Sequence, residues 1–167
     1  MDFEIRRLRA EDNKELAKII RATLTEFGAN KPGTVYFDES TDHLSDTFVL
    51  EKSCYFVCIL NGQLVGGAGI YPTSGLPEHT CELVKMYLLP EARGKGLGKA
   101  LINTCIQFAE QFKYNQVYLE TMPELSTAIK VYEKMGFQSL PHALGNTGHF
   151  SCDIWMVKQL DNKQLHE

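Results

Sequence analysis

The sequence lacks several features that mark large protein classes. It has no excess of positive charge: 17 Lys and Arg stand against 21 Asp and Glu, a formal net charge of -4. A general nucleic-acid or anionic-membrane binder needs a broad basic field, so neither role fits. No apolar run approaches the roughly 18 residues of a membrane-spanning helix. The opening MDFEIRRLRAEDNKEL carries charge throughout and no apolar h-region, so no signal peptide is expected and the chain reads as cytoplasmic. There is no C-x-x-C pair. Five cysteines, Cys54, Cys58, Cys81, Cys105 and Cys152, are spread singly through apolar segments. That pattern fits neither a disulfide framework nor a zinc site, and these residues read as small buried hydrophobes rather than nucleophiles. The histidines lack metal-ligand spacing, so no metal is expected. Repeats and low-complexity segments are also missing.

What is present is an ordinary globular composition. The 167 residues, 44% of them hydrophobic, suit one domain over 1–167 with a real core. Phe3, Ile5 and Leu8 suggest a short first strand. Asp12 is placed to cap a helix carrying Leu16, Ile19, Ile20, Thr23, Leu24 and Phe27 on one face, with Gly28 as its stop. A polar, turn-rich loop leads to a short helix around Asp42–Leu50. CYFVCIL and LVGGAGIY then read as strands joined by Asn61-Gly62, a hairpin signal because both residues tolerate positive φ. CELVKMYLLP is an apolar strand ended by Pro90, and EARGKG is a basic turn. LGKALINTCIQFAEQF and LSTAIKVYEKM have helical periodicity, flank the strand QVYLET, and the second closes at Gly136. Phe137–Leu140 and Phe150–Val157 complete the order as closing strands. Such an order, β-α-α-β-β-β-α-β-α-β-β, predicts an α/β domain with one mixed sheet and helices on its faces.

The segment Arg93-Gly94-Lys95-Gly96-Leu97-Gly98-Lys99 lies between a strand and a helix. Free amides at a helix start point outward, and the helix dipole favours an anion there. Glycines allow close backbone approach, while Arg93, Lys95 and Lys99 add positive charge. A diphosphate is the natural occupant; a merely solvated helix cap would not need three alternating glycines. No register supplies the Lys-Ser or Lys-Thr of a kinase-type P-loop. The dinucleotide fingerprint G-x-G-x-x-G is a nearer rival, with Gly94, Gly96 and a strand-terminal Glu120. Its third glycine, however, would fall at Lys99, and too little chain follows for a doubly wound sheet.

These residues resemble the GCN5-related N-acetyltransferases. The family signature Gln/Arg-x-x-Gly-x-Gly/Ala is met by Arg93, Gly96 and Gly98 within LLPEARGKGLG, and Ala-x-x-x-Tyr-x-x-x-Gly-Phe by Ala128, Tyr132, Gly136 and Phe137. The resemblance covers residues 80–140 and is topological elsewhere. It implies a mostly antiparallel mixed sheet of about six to seven strands with about four helices. It also implies acetyl-CoA as acyl donor and a small-molecule or peptide amine as acceptor. Carried over residue by residue, Met86, Tyr87 and Leu88 would pair with pantetheine as an added strand. Residues Gly94, Lys95, Gly96, Leu97, Gly98 and Lys99 would wrap the diphosphate beside Arg93. An amide near Leu88 would polarise the thioester carbonyl.

Chemistry sets the remaining requirement. An alkyl ammonium with a pKa of about 10.4 must lose a proton before it attacks, and a carboxylate near the thioester can take it. Two acids compete at this point, Glu82 at the start of the motif strand and Glu120 at the end of the next. The resemblance makes Tyr132 the proton donor to the departing thiolate. Relatives often carry Asn seven residues before this tyrosine, where Leu125 stands here with Ser126 beside it. The acceptor region, by the same resemblance, holds Glu26, Phe27, Tyr36, Phe37, Asp38, Glu39, His43, His142 and His149, a set suited to a cationic amine. A homodimer is compatible with the family. A competing class of function is an acyl-CoA-binding sensor or partner-binding module without turnover.

Overall fold

The computed structural model describes residues 1–146 and 153–161. Strand β1 (Phe3–Arg7) leads to helix α1 (Asn13–Glu26), whose apolar positions recur every three or four residues and bury Leu16, Ile19, Ile20 and Leu24. Asp12 stands before α1 but makes no side-chain cap. Its carboxylate instead takes two bonds from the Arg6 guanidinium, at 2.8 and 2.9 Å, and one from the Arg9 amide. A bidentate charged pair outcompetes a single neutral cap bond, and it holds the Asp12 carboxyl below its ordinary range. The helix expected over Asp42–Leu50 is shorter: a 3-10 segment (Glu39–His43) precedes one α-turn, α2 (Leu44–Thr47).

Strands β2 (Cys54–Leu60) and β3 (Gln63–Tyr71) form the expected hairpin, with Asn61 and Gly62 at φ 50° and 82°. There follow β4 (Thr80–Leu88), α3 (Leu97–Gln111), β5 (Gln116–Thr121), α4 (Ser126–Lys134), β6 (Gln138–Leu140) and β7 (Ile154–Gln159). Part of the predicted closing strand, with His149 and Cys152, lies outside the described residues. The sheet order is β1-β2-β3-β4-β5-β7-β6, and every pairing is antiparallel except β4 with β5. A doubly wound dinucleotide fold needs mostly parallel strands, so that reading fails.

The core lies on both faces. Leu97, Leu101, Ile102, Cys105 and Phe108 of α3 pack on one face with Val117, Leu119 and Tyr132. Leu16, Ile20 and Leu24 of α1 pack on the other with Leu44, Tyr55 and Val57. Cys54, Cys58, Cys81 and Cys105 are buried free thiols, as expected, and burial raises each thiol above its ordinary pKa. Among the described residues, no helix is long and apolar enough to cross a membrane and no group of side chains could hold a metal ion.

The sheet has one marked irregularity. β4 and β5 pair only over Thr80–Glu82 against Gln116–Tyr118. Beyond Glu82, β4 bulges: Lys85 has φ 52°, and the β3–β4 register shifts between Gly67 and Gly69. An extra residue in one strand bends it and re-aims its side chains. The Tyr55 hydroxyl donates to the Lys85 carbonyl at 2.7 Å. The Tyr55 ring reaches there only because Gly67 and Gly69 are bare; a Cβ on either would collide with it. The run GGAG thus makes room for the tyrosine that pins the bulge.

Candidate active site

The splay between β4 and β5 opens two cavities. The first, about 280 Å³, is bounded by Met86, Tyr87 and Leu88 of β4, by Gly94, Gly96, Gly98 and Lys99, and by α4 from Thr127 to Lys134 with the following Met135. Its charged lining among the described residues is Arg93, Lys99 and Lys134, with no carboxylate. Gly94 and Gly96 have φ of 71° and 80°, and a Cβ on either would point into open space. Gly96 is the N-cap of α3, so the amides of its first turn emerge beside this cavity. A backbone cradle, a helix N-terminus and only basic side chains suit a diphosphate, and a CoA diphosphate fits this donor set.

The residues expected here are not equivalent. Lys95 is exposed and outside the lining, and the Leu97 side chain is in the core, so only its backbone faces the turn. The Arg93 guanidinium donates twice to the Leu88 carbonyl, at 3.0 and 2.8 Å. It also pairs with Glu26 at 2.7 Å and lies 5.0 Å over the Phe27 ring. Arg93 therefore braces the turn against the end of β4 and α1. Glu26 and Phe27, expected at the acceptor, belong to that brace.

The second cavity, about 290 Å³, lies between the first half of β4, the end of β5 and the segment 33–48. It is lined by Asp38, Glu82, Lys85 and Glu120, with Thr73, Tyr71 and Tyr132 among its other polar groups. Both candidate bases therefore meet in one place. Glu82 is buried, 2% exposed, and accepts from the Thr73 hydroxyl at 2.7 Å. Glu120 is half-buried and accepts from the Tyr118 hydroxyl at 2.7 Å. That hydroxyl in turn receives the Leu144 amide at 3.2 Å. Burial, then the bond to Glu120, holds the Tyr118 phenol protonated well above its ordinary range.

Tyr132 belongs to both cavities, as do Met86, Tyr87 and Leu125. Helix α4 buries it against Phe137, ring to ring at 5.8 Å. Burial raises its phenol above the ordinary value near 10. Leu125 sits at the same junction.

Of the other acceptor candidates, Asp38 lines the second cavity. Phe37 is exposed at 62% beside Tyr36, His43 lines a separate surface groove with Arg21 and Asp42, and His142 is exposed. Sequence reasoning missed Lys85, Thr73, Tyr118 and Lys134. The one sequence signal for Lys85 was a lysine interrupting an apolar strand.

A splayed strand pair beside a glycine turn at a helix start defines an acyl-CoA acyltransferase architecture. Comparison with known proteins makes this specific. Residues 15–137 match the model of the Acetyltransferase (GNAT) family. "Uncharacterized N-acetyltransferase YjgM" of Escherichia coli (strain K12) is 40% identical over 158 residues, 93% of this chain and 94% of that protein. Two solved structures share the fold. An acetyltransferase of the GNAT family from Staphylococcus aureus Mu50 has a TM-score of 0.81 at 16% identity, over 95% of this chain and 99% of that one. The putative acetyltransferase yncA from Salmonella typhimurium, with its cofactor acetyl-CoA, has 0.75 at 19%, over 99% and 98%. This chain belongs to the GNAT acetyltransferase family and is an N-acetyltransferase enzyme.

Proposed function

We propose that this protein moves an acetyl group from acetyl-CoA to the primary amine of a small molecule or peptide, by direct attack in a ternary complex. The observation that carries this reading is the position of Tyr132, common to a basic cavity with a phosphate cradle and a cavity lined by carboxylates. When bound, acetyl-CoA supplies the electrophilic thioester. The amides from Gly94 to Lys99, with Lys99 and Lys134, hold its diphosphate, and the β4 edge at Met86–Leu88, beyond the last β4–β5 pair at Glu82 and Tyr118, pairs with pantetheine. An amide near Leu88 steadies the negative charge that develops on the carbonyl oxygen.

Glu82 takes the proton from the incoming ammonium. It is buried where the two strands separate, and the Thr73 hydroxyl fixes its orientation. The neutral nitrogen attacks the carbonyl carbon, the carbon–sulfur bond breaks, Tyr132 delivers a proton to the departing sulfur, and the second proton that the nitrogen sheds on becoming an amide is returned through solvent to the Tyr132 phenolate. A phenol raised by burial is a weaker acid in this site than in water, but the same burial raises the basicity of the thiolate beside it. The phenol also remains protonated at every working pH, ready to donate.

The test is release of free CoA thiol across an amine panel, run beside acetyl-CoA binding. Turnover on at least one amine is expected. Acetyl-CoA binding without turnover on any amine would instead support an acyl-CoA sensor.

A further inference from the structure

Among the described residues the acceptor cavity is lined by one cation, and acetyl transfer by Glu82 and Tyr132 does not use it. Lys85, at the β4 bulge, lines this cavity together with Asp38, Glu82 and Glu120. Its carbonyl is held by Tyr55, but no ion pair or side-chain hydrogen bond among the described residues involves its ammonium. Burial pulls its pKa below the ordinary lysine value, against the opposing charges of Asp38 and Glu82. A partly buried lysine without a direct partner is costly unless something anionic comes to it.

Resting on the proposed acetyl transfer, the geometry points to Lys85 as a binding site for a carboxylate on the acceptor, making the substrate class an amine that also bears a carboxylate, such as an amino acid. The arrangement suits a zwitterion: the ammonium end meets Glu82 and Glu120, the carboxylate end meets Lys85. A polyamine would place a second cation against Lys85. A phosphomonoester would bring two negative charges to a cavity that has three carboxylates and a single lysine, so a carboxylate is the better match. The cavity volume of about 290 Å³ also suits a small acceptor.

The experiment compares free amino acids with their α-carboxamides, alongside putrescine, spermidine and glucosamine, in the CoA-release assay. Wild type should favour at least one amino acid over its carboxamide by tenfold or more in kcat/KM. Lys85→Met should erase that preference by raising KM for the acid, with acetyl-CoA affinity within twofold of wild type. Lys85→Arg should restore part of it. Equal use of acids and carboxamides by wild type, or preference for putrescine, spermidine or glucosamine, would overturn the assignment while leaving the acetyltransferase reading intact. The wild-type comparison needs no variant, so misfolding of Lys85→Met cannot obscure it. Absence of turnover on every amine would count against both readings.

Discussion

The two cavities share a wall and little else. Among the described residues, the cofactor side is apolar and glycine-lined with three cations and no acid, whereas the acceptor side holds three carboxylates and one lysine. Each set of charges matches a different partner, a diphosphate on one side and an ammonium on the other. Tyr132 stands where the two meet. Variants on the cofactor side should therefore alter affinity for acetyl-CoA, and variants on the acceptor side should alter turnover.

The largest expected effect is at the junction. Tyr132→Phe should lower kcat by about 10²–10⁴-fold, the usual range for losing a positioned acid, while acetyl-CoA binding changes only slightly. Unchanged kcat would remove Tyr132 from proton transfer. Next, Glu82→Gln should lower kcat/KM by about 10²-fold or more and abolish the acidic limb of its pH profile. Glu120→Gln should keep that limb; the opposite pattern would exchange the two roles. Gly96→Ala should act on the other side. A side chain at φ 80° costs about 1–2 kcal/mol; the empty turn relieves that strain by leaving the conformation and must regain it to bind, so acetyl-CoA binding should weaken by up to about 5–30-fold with kcat at saturation preserved. Lys134→Ala should produce the smallest change, a weakening of acetyl-CoA affinity by about threefold that fades with added salt. A loss of kcat at saturating acetyl-CoA in either cofactor-side variant would break the division of labour.

The same contrast explains what the sequence disclosed. The cofactor side is built from neighbours in the chain: strand end, turn and helix start run from Met86 to Lys99, and α4 contributes residues three and four apart. Such local patterns survive as motifs. Residues 33–48, 71–73, 82–85 and 119–122 supply most of the acceptor side, and only the sheet order brings them together. Glu82 and Glu120 were legible because each closes or opens an apolar strand. Lys85 was hidden because its direction depends on a bulge, which depends in turn on Tyr55 crossing two bare glycines of β3. Arg93 shows the reverse: its place in the motif was plain, but its bonds to Leu88 and Glu26 arise from packing. Asp12 likewise had the right position for a cap, and a partner on β1 claimed its carboxylate.

A crystal structure with acetyl-CoA bound tests the central claim most directly. The diphosphate should sit against the amides between Gly94 and Lys99, with the thioester at the β4 edge and its sulfur facing the Tyr132 hydroxyl. A diphosphate bound elsewhere, or a thioester out of reach of Tyr132, would contradict it.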